Sequence, residues 1–194
     1  MKLILVRHGQ SENNLARMSE GNSCLSELGR EQVGRVAEVL RDEKIDIIYS
    51  SDLVRARETA EAICERLGKE IVFDSRLREQ SYGVFEGKSW DEVIESTKGL
   101  DVSEFERVFE GGESYGDVIK RVGEFFEEIR CKHEGESVVI VAHGVVIRCL
   151  LCYLFGESVN ESRKYKHGNT GISFLEYVCG EWKIEKLNCT EHLE

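Results

Sequence analysis

Two histidines and two arginines occupy positions from which they could bind and transfer a phosphoryl group. His8 follows Arg7 at the end of the apolar run 2–7, and His143 follows a similar run at 137–142. Arg55 lies where another strand-like segment passes into a helix-like one. Guanidinium groups bind phosphate oxygens through paired hydrogen bonds, and helix N-termini add further donors. These residue types therefore favour a phosphoryl-binding pocket.

Histidine is also a nucleophile when its ring is neutral. Nearby arginines disfavour the imidazolium form and so keep a ring nitrogen available. The same cations would stabilise negative charge on the phosphoryl oxygens during in-line transfer. The pattern thus predicts transfer through a histidine as well as binding.

Alternating strand-like and helix-like segments must position these side chains. The helical segments have one apolar face each, and they cover residues 33–40, 56–67 and 118–129, with another helix beginning near Val145. The strand-like segments are short and apolar: 2–7, 45–49, 71–73, 137–142, 172–174 and 182–184, the last two forming a hairpin through Cys179 and Gly180.

This alternation predicts an α/β fold with a mostly parallel central sheet and helices on both faces. Residues 1–192 are expected to form a single catalytic domain, and residues 193–194 are either a vector-derived tail or native sequence. Ligands of such sheets bind beyond the carboxyl ends of the strands. His8 and His143 stand at two such ends, so we expect them to meet.

Composition excludes several classes of partner. The net charge of −11 disfavours nucleic acid, which selects basic surfaces. No apolar run approaches the roughly 20 residues of a membrane helix. The seven cysteines are scattered, without the paired clusters typical of zinc sites, which predicts reduced thiols, no metal and a cytoplasmic location.

Five segments resemble motifs of the histidine phosphatase superfamily, also called the phosphoglycerate mutase-like family, in the same order and over nearly the whole chain. They are 5–14 (LVRHGQSENN), 25–29 (LSELG), 51–60 (SDLVRARETA), 77–87 (LREQSYGVFEG) and 141–148 (VAHGVVIR). One segment would be weak support, but five in order are specific. Among the members, the chain looks most like the small phosphatases.

The resemblance implies a role for each matching residue. His8 would be the nucleophile that becomes phosphorylated. Glu79 would give a proton to the leaving oxygen and later activate water. The phosphoryl oxygens would be held by four residues: Arg7, Asn14, Arg55 and His143. Arg55 rather than Arg57 occupies the matching position, and no cofactor is implied.

Other polar residues are open to more than one interpretation. Glu86 is a weaker candidate than Glu79 for the acid. Glu113 either contributes to the site or caps the following helix. Asp52 is predicted to cap the helix that carries Arg55. The remaining histidines are predicted to lie on the surface: His133, His167 and His192.

Three functions remain possible on this scaffold. A phosphatase would pass the phosphoryl group to water, a cofactor-dependent phosphoglycerate mutase would return it to the substrate, and an inert regulatory protein would do neither. The stretch between Gly87 and Gly112 favours the phosphatase, because it is short and proline-free, whereas mutases resemble longer chains with a closing segment. This stretch is also acidic, through Asp91, Glu92, Glu95, Asp101, Glu104, Glu106 and Glu110.

The substrate is predicted only as a small phosphorylated metabolite. The resemblance covers enzymes for α-ribazole phosphate, phosphoserine and sugar bisphosphates, and broad-specificity phosphatases. The acidic stretch disfavours highly charged polyphosphates through repulsion. A homodimer is compatible with the sequence and is not specified by it.

Overall fold

The computed structural model describes residues 1–19, 21–98, 105 and 107–194. Within these ranges one sheet contains the strands β1 Lys2–Arg7, β2 Ile47–Ser50, β3 Ile71–Phe73, β4 Ser137–Ala142, β5 Ile172–Val178 and β6 Glu181–Cys189. The α-helices of these ranges are α1 Glu12–Leu15, α2 Glu27–Leu40, α3 Val54–Leu67, α4 Trp90–Ser96, α5 Tyr115–Lys132 and α6 Gly144–Phe155. Short 3-10 helices occupy Ser75–Leu77, Gly83–Phe85, Val159–Tyr165 and Glu191–Leu193.

The sheet has the strand order β3-β2-β4-β1-β5-β6. The first four strands in this order are parallel, because β1 and β2 both pair with β4 in parallel and β3 pairs with β2 in the same way. β5 is antiparallel to β1, and β6 returns antiparallel to β5. The predicted α/β class, mostly parallel sheet and C-terminal hairpin are confirmed.

The two faces of the sheet are covered by different helices, as alternate residues of β1 show. Leu3 and Leu5 belong to a core cluster that includes buried residues of α5 and α6. Ile4 and Val6 belong to a second cluster with buried residues of α2 and α3. All four side chains are at most 3% exposed. A strand buried on both faces must be apolar throughout, which explains the continuous run in the sequence.

Neighbouring parallel strands end side by side at one edge of the sheet. Arg7 at the end of β1 is paired with Ala142 at the end of β4. Ser50 at the end of β2 is paired with Val141, one residue before the end of β4. The residues that follow these strands therefore emerge next to one another, and they include His8, His143 and the loop that leads to Arg55.

Asp52 does not cap α3, so that prediction is wrong. Leu53 is the N-cap residue and makes no side-chain capping hydrogen bond. Asp52 instead accepts hydrogen bonds from Arg78, at 2.7 Å from Nε to Oδ1 and 2.5 Å from Nη2 to Oδ2. Because Arg78 is distant in sequence, a local helix-start pattern does not reveal this partner.

The prediction of surface positions is wrong for His167, which is 1% exposed. Its Nδ1–H donates to the Tyr165 carbonyl (2.8 Å), and its Nε2 lies 2.6 Å from Ser173 Oγ. His133 and His192 are partly buried, and His133 Nε2 lies 2.8 Å from the Tyr49 hydroxyl.

The acidic stretch is described only in part. Its residues Asp101, Glu104 and Glu106 lie outside the described residues. Of the part that is described, α4 begins at a capping box formed by Ser89 and Glu92. No helix in the described ranges has both the length and the apolar character that crossing a membrane requires.

Candidate active site

His8 is fully buried immediately beyond β1, and its ring is held in one tautomer. The Nδ1 atom lies 2.7 Å from the carbonyl oxygen of Gly9. A carbonyl oxygen can only accept, so Nδ1 carries the proton and Nε2 keeps its lone pair. The ring is thereby oriented with Nε2 as its nucleophilic atom.

Arg55 reaches the same ring from the first turn of α3. Its Nε–H donates to His8 Nε2 at 3.1 Å, and its Nη1 donates to the Gly21 carbonyl at 2.6 Å. Burial lowers the pKa of His8 well below its usual value, and the charges of Arg55 and Arg7 lower it further. His8 is therefore neutral at physiological pH.

His143 lies next to His8 as predicted, with the two ring centroids 5.0 Å apart. It is fully buried, and its Nε2 lies 2.9 Å from Ser51 Oγ. Its Nδ1 is buried and has no hydrogen-bond partner among the residues that the structure describes. Burial, followed by the charges of Arg55 and His8, lowers the pKa of His143 well below its usual value.

Arg7 approaches the two histidines from the end of β1. Its Nη1 donates to the His167 carbonyl at 2.8 Å. A Cβ placed on Gly144 would lie 3.7 Å from Arg7 Cζ and 3.8 Å from Glu79 Oε2. The guanidinium of Arg7 and the carboxylate of Glu79 therefore both lie beside the start of α6, immediately after His143.

Glu79 is 8% exposed, and the N-terminus of α6 holds its carboxylate. The Val145 N–H donates to both oxygens, at 3.1 Å to Oε1 and 3.3 Å to Oε2. The Gln80 N–H donates to Oε1 at 3.1 Å. Helix N-termini favour negative charge, so this position orients a carboxylate at the edge of the pocket.

Glu86 and Glu113, the other two carboxylates considered, have different partners. Glu86 is exposed, and its Oε1 accepts from Ser81 Oγ at 2.6 Å. Glu113 accepts the Ser81 N–H at 3.0 Å and pairs with Arg121 at 2.8 Å. It does not cap α5, because Ser114 does so through a capping box with Asp117.

Asn14 lies one step away from His8 in a hydrogen-bonded chain. Its Oδ1 accepts from Asn169 Nδ2 at 3.0 Å, and the same Nδ2 lies 3.2 Å from the His8 carbonyl oxygen. The role of Asn14 in substrate binding stays a prediction. The sequence did not predict the contacts of Asn169 and Ser51, because neither contact has a local pattern. Ser51 lies in the matching segment 51–60, whereas Asn169 lies outside the five segments.

Glycine permits a close backbone approach between the His8 loop and α2. A Cβ on Gly29 would lie 2.0 Å from the Gln10 carbonyl oxygen, and a Cβ on Gly9 would lie 2.7 Å from the Gly29 carbonyl oxygen. Any larger side chain would push the loop away from the helix. The same helix carries Gly34, which has open space around its Cβ position.

Glu79 lines two clefts of different electrostatic character. The larger, of about 380 Å³, contains Arg78 and Arg121, which are paired with Asp52 and Glu113 respectively, together with Glu86. The smaller, of about 210 Å³, has the charged and aromatic lining residues Arg7, Glu79, Tyr82, Trp90, Arg148 and Lys166. Arg148 and the two aromatic residues also line a third cleft of about 300 Å³.

Among the residues the structure describes, no group of three or more histidine, cysteine, aspartate or glutamate side chains is arranged to hold a metal ion. The charges that converge beside His8 and His143 come from guanidinium groups and the start of α6.

The fold and the two adjacent buried histidines are features of one class of proteins. Comparison with known proteins identifies that class. Branch 1 of the histidine phosphatase superfamily matches residues 3–190. The chain belongs to this superfamily, which confirms the resemblance seen in the sequence.

Individual relatives cover the whole chain. Phosphoserine phosphatase 1 of Hydrogenobacter thermophilus is 36% identical over 100% of this chain and 94% of its own. The probable phosphoglycerate mutase GpmB of Escherichia coli is 31% identical over 100% of this chain and 95% of its own. The crystal structure of phosphoserine phosphatase from Entamoeba histolytica, in complex with 3-phosphoglyceric acid, has a TM-score of 0.87 and 30% identity, covering 100% of this chain and 99% of that one.

Proposed function

We propose that the protein is a phosphoric monoester hydrolase that acts on a small phosphorylated metabolite through a phosphohistidine on His8. The observation that carries the proposal is the neutral His8 ring, with Nδ1 fixed on the Gly9 carbonyl and Nε2 facing Arg55. A histidine prepared in this way has a lone pair beside a fixed cation. The phosphatases among the relatives support the same reaction class.

In the first step Arg55 Nε–H exchanges its hydrogen bond to His8 Nε2 for one to a phosphoryl oxygen. The freed lone pair of Nε2 attacks phosphorus, and the bond from phosphorus to the ester oxygen breaks. Arg7, Arg55 and His143 neutralise the charge that develops on the phosphoryl oxygens. The buried Nδ1 of His143 would gain a hydrogen-bond partner from such an oxygen, which buried polar atoms normally have.

Glu79 completes the proton balance in this proposal. Its protonated carboxyl gives a proton to the leaving ester oxygen, which departs as an alcohol. The resulting carboxylate then takes a proton from water as the water oxygen attacks phosphorus. The bond between phosphorus and Nε2 breaks, inorganic phosphate leaves, and His8 and Glu79 return to their starting states.

Water as the acceptor distinguishes this proposal from a mutase. Mutase activity stays the second candidate, because the relative from Escherichia coli is described as a probable phosphoglycerate mutase. The inert-scaffold alternative is not favoured, because each matching polar residue is present and the two histidines are adjacent.

The proposal also includes the source of positive charge in the reaction and the location of the protein. Arginine, rather than a metal ion, neutralises the phosphoryl charge. All seven cysteines are free thiols, which supports a reducing, cytoplasmic location. Nucleic acid is not expected as a partner, and a homodimer is compatible with the sequence without being specified by it.

The test is phosphate release by the purified full-length protein in excess chelator, with a panel of phosphomonoesters. We expect metal-free release that is lost in His8→Ala, and an acid-labile phosphoenzyme in the parent protein alone. Interconversion of 2- and 3-phosphoglycerate without net phosphate release would instead establish the mutase. Absence of both turnover and phosphoenzyme would establish the inert alternative.

A further inference from the structure

We propose that the smaller cleft beside Glu79 recognises a carboxylate on the alcohol part of the substrate, so that the preferred substrates are phosphate esters of small hydroxy acids. This inference rests on the proposed function, because it assumes that the leaving oxygen lies next to Glu79. It adds the chemical class of the leaving group, which catalysis at His8 does not specify.

The position of this cleft relates it to the leaving group. Glu79 and Gly144 line the cleft, and so does Arg7. The cleft therefore contains the group that would protonate the ester oxygen, Glu79, and a guanidinium that would bind the phosphoryl group, that of Arg7. Atoms of the substrate beyond the ester oxygen would extend from there into the rest of the cleft.

Apart from Glu79, the charged residues of the cleft are cations. They include Arg148 and Lys166, and no ion pair joins either of them to a carboxylate in the described part of the chain. Among the described residues that line this cleft, Glu79 is the only one with a carboxylate. A cleft with unpaired cations of this kind attracts an anionic group.

Arg148 is also held in a fixed position from which it can bind an anionic group. Its Nη2 donates to the Tyr115 hydroxyl at 2.7 Å and its Nε lies 3.3 Å from the Gly144 carbonyl oxygen. These two hydrogen bonds hold the guanidinium of Arg148 in place beside the first turns of α6. A fixed guanidinium loses little freedom when it binds a planar carboxylate.

The larger cleft, which Glu79 also lines, provides an internal comparison. Its arginines, Arg78 and Arg121, already bind Asp52 and Glu113, and Glu86 adds further negative charge. An anionic group would gain less there. The difference between the two clefts therefore assigns the carboxylate to the side of Arg148 and Lys166.

The size of the smaller cleft limits the acid. At about 210 Å³ it suits an acid of a few carbon atoms rather than a sugar bisphosphate. The walls formed by Tyr82 and Trp90 are shared with the cleft of about 300 Å³, into which a longer substrate could extend.

The experiment compares esters that differ in the carboxylate. O-phosphoserine is paired with O-phosphoethanolamine, and 3-phosphoglycerate is paired with glycerol 3-phosphate. We expect kcat/KM of the parent protein to be at least about 10-fold higher for the acid in each pair, as loss of a charged hydrogen bond implies. Arg148→Met and Lys166→Met should each reduce this ratio, whereas Arg78→Met, with the same loss of charge in the larger cleft, should leave the ratio as in the parent.

Two further measurements keep the outcomes distinct. Hydrolysis of p-nitrophenyl phosphate, dependent on His8, tests the proposed function alone, and its absence together with absence of phosphoenzyme would remove both proposals. Hydrolysis with an acid-to-neutral ratio near one would overturn only the carboxylate inference. If Arg148→Met does not fold, inhibition of the parent protein decides: glycerate should compete with p-nitrophenyl phosphate and glycerol should not, and equal effects of the two would refute the inference.

Discussion

Arg55 Nε donates a hydrogen bond to His8 Nε2 across 3.1 Å, joining the first turn of α3 to the end of β1. This bond requires a neutral imidazole, because an imidazolium has no lone pair to accept it. The arginine therefore keeps the nucleophilic nitrogen unprotonated and also marks where a phosphoryl oxygen would meet positive charge. Binding and activation depend on the same side chain.

Arg55→Met should reduce kcat/KM for phosphomonoesters by about 100- to 1,000-fold, the usual loss when one donor to a developing charge is removed. Arg57→Met is the matched control. Arg57 is exposed two residues further along α3 and stacks on Phe73, with its Cζ 4.2 Å from the ring centroid. Steady-state kinetics of the two variants, with thermal unfolding to verify folding, make the comparison. Similar losses in both would remove Arg55 from the proposed site.

Glu79→Gln should lower kcat for alkyl phosphate esters by about 100- to 10,000-fold, because the leaving oxygen loses its proton donor. With p-nitrophenyl phosphate the leaving group needs no proton, so the variant should release nitrophenolate in a burst and then turn over slowly. Stopped-flow absorbance measures both phases. Glu86→Gln is the control and should change kcat by no more than about 2-fold, as exposed side chains usually do. A larger effect in Glu86→Gln would reverse the two assignments.

The sequence predicted the positions of the two histidines because buried parallel strands are recognisable as apolar runs, and the residue after each run must lie at the sheet edge. The sequence could not predict which side chains form hydrogen bonds or ion pairs with residues distant along the chain. The ion pair of Asp52 with Arg78 replaced an expected helix cap. The contact of Ser51 with His143 spans 92 residues. His167 was placed on the surface because a single histidine in a loop has no periodicity that indicates burial.

Gly29→Ala should destabilise the protein by at least about 1–3 kcal/mol, because the added methyl group would overlap the Gln10 carbonyl and force the His8 loop to move. Gly34→Ala, five positions along the same helix, should instead stabilise by about 0.5–1 kcal/mol, since alanine favours a helix and meets no neighbour there. Urea unfolding of both variants gives the two free energies. Equal effects of the two substitutions would contradict the close approach.

Acid should weaken the fold through His167. Burial lowers its pKa to about 4, from about 6.5 in an unfolded chain. Between these values the unfolded state binds more protons, so the free energy of unfolding falls as pH decreases from 6.5 to 4, by about 3 kcal/mol in total. The lowered pKa values of His8 and His143 act in the same direction.

The measurement is the free energy of unfolding of the parent protein and of His167→Asn between pH 8 and pH 5. Asparagine can still donate to the Tyr165 carbonyl but does not titrate. The stability of the parent should therefore fall more steeply with acid than that of the variant. Parallel curves would show that His167 takes up its proton equally in both states.

The pairing of β1 with β4 has a consequence for how such a protein can diverge. Parallel strands lie about 4.8 Å apart, and the two histidine rings, one residue beyond the paired ends, are 5.0 Å apart. The spacing of the two paired strands therefore sets the separation of the His8 and His143 rings. Surrounding loops can accept insertions, and their side chains can be exchanged over evolutionary time, without altering that spacing. New substrate preferences can thus arise on an unchanged chemical centre.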